Sequence, residues 1–218
     1  MRKHTLFTIF LGIGSCFAST ITVQNPSFEI LPPGGLPFTC TPAGSGCTYS
    51  SGDIPGWTIS NQTNIVGEFQ PGVLSDNTTY FNTLPDGPTI AYSSGGVISQ
   101  TVGATVQLGV AYILLVDVGQ RNDWNGLGTV DLEIGNTLIA ATGEDPAPGD
   151  WSTFMATYIG QAADVGDPIS IVLSATGNQG DFDNVRLYDA PEPASVYLFV
   201  FGLAAIAPVM RKTRRLHS

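Results

Sequence analysis

The sequence predicts an all-β fold, an antiparallel jelly-roll β-sandwich flanked by an N-terminal signal helix and a C-terminal transmembrane helix. Three observations predict it. Short runs rich in Val, Ile, Thr and aromatic residues recur between turn signals. Long amphipathic helical patterns are absent. Glycine and proline, 26 and 15 in number, punctuate the chain closely enough to cut it into ten or so short strands. Short connections between such strands favour antiparallel neighbours. The chain divides into 1–18, a signal peptide; 19–190, the sandwich; and 191–218, a membrane-directed tail.

The elements follow in order. Ile21 to Gln24 reads as the first strand and leads into Asn25-Pro26-Ser27-Phe28-Glu29. Leu31 to Gly56 is a long Pro/Gly-rich excursion. Trp57 to Ser60 and Ile65 to Phe69 are short strands, and Pro71 to Pro88 is mostly loop. Thr89 to Tyr92 and Val97 to Val102 are strands joined at Ser93-Ser94-Gly95-Gly96, read as a hairpin turn. Tyr112 to Val118 is apolar on both faces and therefore central. Val130, Leu132 and Ile134 alternate with Asp131 and Glu133, and Gly135-Asn136 turns the chain tightly into Thr137 to Ala141. Glu144 to Asp150 is a loop. Ser152 to Ile159, Ile169 to Ala175 and Asp181 to Tyr188 complete the set, the last with Phe182, Val185 and Leu187 facing the core.

Charge and cysteine content narrow the function. The 218-residue chain carries a formal charge of −10, and the 19–190 domain is more acidic still. Between the two ends Arg121 and Arg186 are its cations, and it has no lysine or histidine. Such a domain cannot neutralise phosphates, which excludes nucleic acid. Neutral polysaccharides and divalent cations are compatible partners, and plain extracellular solubility explains the charge equally well. Cys40 and Cys47 flank a flexible Thr/Pro/Gly/Ser turn, and a disulfide between them is the expectation in an oxidising compartment.

Both ends read as export signals. Arg2, Lys3 and His4 precede an apolar stretch from Leu6 to Gly14, with small residues around Ala18, as in a cleaved secretory signal. Ile13-Gly14-Ser15-Cys16 is a loose alternative, a lipoprotein box with Cys16 lipidated. At the other end come Pro191-Glu192-Pro193, an apolar run from Ala194 to Met210, and the basic residues Arg211, Lys212, Arg214 and Arg215. As a helix the run would span roughly 25 Å, slightly short of a typical hydrocarbon core, with the basic cluster cytoplasmic. This ordered trio resembles the PEP-CTERM sorting signal of exopolysaccharide-producing Gram-negative bacteria. The resemblance implies an inner-membrane-anchored precursor, recognition by an exosortase, cutting near the Pro-Glu-Pro, and a final place at the cell surface or outside. An ordinary membrane anchor predicts the same topology without explaining the Pro-Glu-Pro.

Asn25-Pro26-Ser27-Phe28-Glu29 at the start, Asp181-Phe182-Asp183-Asn184-Val185-Arg186-Leu187 at the finish, Gly56-Trp57 and Ile98-Ser99-Gln100 resemble the galactose-binding-like and carbohydrate-binding-module jelly rolls. That resemblance implies a structural calcium ion between first and last strands, held by Glu29 and Asp183 with Asn25 or a carbonyl completing the shell. Asp181 could replace Asp183. Alternatively both carboxylates are solvated, or Arg186 pairs with one. Arg121-Asn122-Asp123-Trp124 could form a sugar site, the indole stacking and the polar groups taking hydroxyls. The competing reading pairs Arg121 with an acidic neighbour and lays Trp124 over the sandwich edge. Trp57 and Trp151 are read as core; Tyr80, Phe81 and Tyr92 as core or platform.

No histidine or lysine remains for nucleophilic catalysis or a histidine-based zinc site. The expectation is therefore a non-catalytic surface or extracellular protein associating with extracellular polysaccharide. The alternatives are a structural biofilm-matrix protein without a small-ligand site and, more remotely, a glycoside hydrolase using two carboxylates.

Overall fold

The computed structural model describes residues 18–40, 46–61, 66–71, 80–175 and 178–191. Residues 1–17 of the expected signal peptide, the 41–45 turn, Glu192, Pro193, the 194–210 run and the basic residues Arg211, Lys212, Arg214 and Arg215 lie outside them. Every regular element among the described residues is a strand.

These strands form two antiparallel sheets. In spatial order the larger holds β11 (Trp151–Ile159), β8 (Val110–Gly119), β13 (Gly180–Pro191), β6 (Ile90–Ser93), β5 (Val66–Gln70), β3 (Thr48–Tyr49) and β2 (Phe38–Thr39). The short β1 (Ser19–Ile21) pairs with the far half of β13, so the first and last strands meet. The smaller sheet runs β10 (Thr137–Ala140), β9 (Thr129–Ile134), β12 (Pro168–Ser174), β7 (Val97–Thr105) and β4 (Thr58–Ser60). From β6 onward every connection except β9 to β10 switches sheets, which is jelly-roll winding.

That winding corrects one expectation. Ser93 to Gly96 does not close a hairpin but carries the chain from one sheet to the other. Both edges of β6 are already taken, by β13 and β5, so β7 cannot pair beside it. The Ser93 hydroxyl donates to the Gly96 carbonyl at 2.7 Å and holds the turn. The Gly135-Asn136 turn does close a hairpin, with Thr137 opposite Ile134.

Strand periodicity builds the core. Leu114, Val116 and Val118 of β8 point between the sheets and meet Ile169, Ile171 and Leu173 of β12, all fully or almost fully buried. In β13 the inward residues are Phe182, Val185 and Leu187, a spacing of three and then two. The irregular step is a register shift between Asp183 and Arg186, where Asn184 takes φ 51° and the Val185 N–H donates to the Pro26 carbonyl at 2.9 Å. This ties the N-terminal segment to the last strand. Phe28, itself at φ 57°, is buried against Trp57 at 5.4 Å, and the Trp57 indole N–H donates to the Asn25 carbonyl.

A second apolar cluster lies on the outer face of the larger sheet, around Phe69, Tyr80, Phe81, Ile90 and Tyr92. Trp151 packs at its margin against Phe81, half-buried, and not between the sheets as expected. The β2–β3 hairpin beside this cluster is closed by the Cys40–Cys47 disulfide.

Leu114 sits between Ala156 on β11 and Leu187 on β13 with no exposed surface. Leu114→Ala should cost about 2–5 kcal/mol, read as a lower urea midpoint at unchanged slope.

Candidate functional site

The outer face of the larger sheet is set by register. One row across it reads Gly67, Tyr92, Asp181, Gly119 and Trp151. The next places Asp183, Asp117 and Thr153 side by side. Gly119 matters in the first row because a Cβ there would come within 2.9 Å of the Phe81 and Trp151 rings. Its absence lets those rings lie on the sheet at 4.8 Å from each other.

At the Gly119 end of the face is a pocket of about 390 Å³. The disulfide hairpin supplies Thr39, Cys40 and Tyr49; β5 and β6 supply Phe69 and Tyr92. Loops add Tyr80, Arg121, Asp123, Trp124 and Gln179. Arg121 organises it. Its guanidinium lies 4.5 Å from the Tyr80 ring centre, 5.6 Å from Phe69 and 5.9 Å from Trp124, contacts worth about 0.5–2 kcal/mol each. Asp123 grips it bidentately, at 2.9 Å from Nε and 2.7 Å from Nη2. Nη1 donates to Gln179 at 3.1 Å, and Gln179 donates in turn to Asp181 Oδ1 at 2.7 Å.

Asp181 ends this chain fully buried, and its Oδ2 has no hydrogen-bond partner among the described residues. Burial pushes its carboxyl up to about 7, against the pull of the Gln179 hydrogen bond and the Arg121 charge. Burial also lifts the neighbouring Tyr92 phenol to about 12, with its hydroxyl donating to the Ser50 carbonyl.

The structure thus brings Arg121, Asp123 and Trp124 together in one pocket, and Arg121 makes the acidic pairing weighed against that role. Asn122 turns the other way: its N–H donates to the Tyr80 carbonyl at 2.8 Å and its amide to Asn82, so it fixes the loop that carries Tyr80. Trp124 is half-exposed at the pocket mouth. Tyr49, Phe69 and Gln179 were not singled out from sequence, and Asp181 was considered only as an alternative calcium ligand, not as part of this pocket. Strand parity places the first two, but the last two enter only through the register of β13.

The residues expected around calcium lie near one another without converging. Glu29 accepts from the Thr89 N–H at 2.9 Å, and Asp183 from Asp86 at 2.9 Å and Asn184 at 2.7 Å. Asn25 bridges the Ile30 and Pro55 carbonyls and donates to Glu68 at 3.3 Å. Arg186 pairs with Asp117 at 3.0 Å, not with Glu29 or Asp183. Among the described residues no three His, Cys, Asp or Glu side chains gather as a metal-holding group. Glu68 is the residue sequence missed: it is fully buried and its Oε2 lacks a hydrogen-bond partner among the described residues. Burial, then the Asp53 and Glu29 carboxylates, push it to about 8 against the Asn25 hydrogen bond. Burial likewise lifts Asp183 to about 8, with Asp86 and Asp117 adding to the rise and two backbone N–H groups opposing it.

Comparison with known proteins gives a family and a set of fold likenesses. The family model described as HpiC1-like, HpiC1 cyclase, matches residues 19–188. No curated protein matches the chain. Among solved structures, TmCBM61 in complex with β-1,4-galactotriose is 15% identical with TM-score 0.46, covering 78% of this chain and 98% of its own. The CBM22-1 xylan-binding domain of Paenibacillus barcinonensis Xyn10C is 12% identical with TM-score 0.39, covering 84% and 99%. The K1 adhesin domain of Lys-gingipain from Porphyromonas gingivalis is 9% identical with TM-score 0.38, covering 82% and 99%. The two-sheet architecture stands on the strand pairing itself.

Three carboxyls raised to about 7 or 8 make stability depend on pH. Glu68, Asp181 and Asp183 hold protons in the folded state that the unfolded chain releases near pH 4, so the folded state binds more protons in between. Their contribution is complete below about pH 4 and is lost as pH rises through 7 to 8. Melting temperature should therefore fall from pH 5 to pH 8.5 in metal-free buffer. Glu68→Gln and Asp181→Asn should each flatten the slope; unchanged slopes in both would contradict the assignment.

Proposed function

We propose that this chain, which belongs to the HpiC1-like family, is an exported binding protein whose outer-face pocket takes one ring of a neutral extracellular polysaccharide. The carrying observation is the Arg121 guanidinium, pinned by Asp123 and Gln179 among the rings of Phe69, Tyr80 and Trp124. Aromatic planes suit the C–H faces of a sugar, and the remaining guanidinium N–H groups, Thr39 and the Tyr49 hydroxyl suit its hydroxyls. The pocket lies within the size range of small-ligand sites, roughly 300–1,000 Å³. The acidity of the domain favours a neutral ligand over a polyanion. The two ends of the sequence support export and passage through the inner membrane, with Pro191-Glu192-Pro193 as the place an exosortase would act.

A hard divalent cation, calcium by its ligand chemistry, is part of this proposal. Glu29 and Asp183 were its expected holders with Asn25. The spare oxygen of Glu68 beside Asn25, with the charges of Glu29 and Asp53 near it, makes that side of the cluster the better fit. Calcium would supply charge neutralisation to buried carboxylates and brace the N-terminal segment. It should raise the melting temperature at pH 7.5, and Glu68→Gln should remove the rise.

A second reading rests on Asp181. A buried carboxyl near pH 7 with one spare oxygen, hydrogen-bonded to Gln179 of the pocket wall, can hold and give a proton at neutral pH. In a family described as a cyclase this suits acid-assisted ring closure of a bound ligand. Asp181→Asn would then leave binding intact and abolish turnover.

The binding proposal is tested by calorimetry with neutral β-linked oligosaccharides of galactose, xylose and glucose. At least one should bind, and Trp124→Ala should weaken it tenfold or more, about 1.4 kcal/mol. Silence across the set, or equal binding by Trp124→Ala, would sink the proposal.

A further inference from the structure

The end of the sandwich opposite the pocket carries its own pattern. The described chain leaves the fold at Pro191, which pairs with Val110 at the start of β8. The pocket lies past the other end of β8, ten residues away, about 30 Å along the strand. Two loops cover the exit end and are bonded to each other. Gly109 N–H donates to the Gly160 carbonyl at 2.9 Å, and Gly166 N–H to the Val106 carbonyl at 2.9 Å. From them and the adjoining strand end project Leu108, Val165 and Ile159, exposed at 64%, 54% and 49%. Ile159 stands in the cross-strand row that contains Ala111 and Ala190, beside the exit itself. Residues 105–110 and 159–168 include no lysine or arginine; their charges are Asp164, which accepts from the Tyr158 hydroxyl, and Asp167.

The sequence beyond the exit fixes what this end can face. Ala194 begins the uncharged run to Met210 only three residues after Pro191. Three residues reach at most about 10 Å. Wherever that run enters a bilayer, the loops around the exit must lie at its surface. We propose that the Leu108, Val165 and Ile159 end of the sandwich rests against the lipid surface entered by Ala194–Met210, with the pocket held facing away from it. The partner is the boundary between headgroups and acyl chains of a zwitterionic leaflet, since the two aspartates and the lack of cations disfavour an anionic one. This inference rests on the export reading above.

The test uses the full chain in phosphatidylcholine vesicles whose acyl chains carry bromine, which quenches nearby indoles. Two native tryptophans report the far end, since Trp151 pairs with Gly119 and Trp124 follows β8; Trp57 is buried beside the middle of β7, whose Gln100 amide donates to the preceding Gly56 carbonyl. Leu108→Trp and Val165→Trp should each add emission that brominated lipid quenches by half or more, while the native emission is barely affected. Co-sedimentation with vesicles but no quenching at either new tryptophan would overturn the apposition and leave the anchor standing. Equal quenching of the native tryptophans would also overturn it. Failure to co-sediment would overturn both readings.

Discussion

Strand β13 is bonded along one edge to β8 and along the other to β6 and then β1, and its register decides what the outer face carries. Before the shift at Asn184, alternation sends Phe182 inward and puts Asp181 and Asp183 on the opposite face, under the loops. After it, Leu187 faces the core and Arg186 reaches Asp117. Without that extra residue one half of the strand would present its carboxylates to the apolar interior. The bulge also receives the Pro26 carbonyl, so the same irregularity that sorts the side chains fastens the N-terminal segment.

The pocket is the electrostatic answer to that placement. Asp181 is buried between Tyr92 and Gly119, neither of which carries a positive charge. Gln179 relays it to Arg121, and the aromatic rings hold the guanidinium where water cannot fully screen it. Asp123, on the same loop and partly exposed, balances the charge from the solvent side. A rigid cation with unspent donors, set among ring faces, is a ready partner for a hydroxylated ring. The same arrangement leaves a carboxyl poised near neutrality, which is why binding and proton transfer compete as readings of one site.

Much of the fold was legible where the signal is local. The Gly135-Asn136 hairpin, the pairing of β8 along both edges and the Cys40–Cys47 closure each follow from a few adjacent residues, although β8 lies second from the sheet edge and not at its centre. Phe182, Val185 and Leu187 were legible as core from their apolar side chains, while the bulge that lets all three share one face shows only in the register of β13. The sheet switch at Ser93 to Gly96 was not, since a Ser/Gly turn looks alike whether it joins neighbours in a sheet or crosses between sheets. Nor could Glu68 or Gln179 be found, because their partners Asn25 and Arg121 lie 43 and 58 residues away in sequence. Asn122 looked like its neighbours in the loop; its direction is set by the backbone of Tyr80, which no local pattern encodes.

The most direct measurement is NMR of the arginine side-chain Nε–H resonances during titration with a neutral oligosaccharide. Arg121 and Arg186 are the two arginines of the domain and sit in separate ion pairs, so each serves as the control for the other. Ligand binding in the aromatic pocket predicts that the Arg121 resonance moves and saturates while Arg186 stays still. A still Arg121, or movement of Arg186 alone, would contradict it.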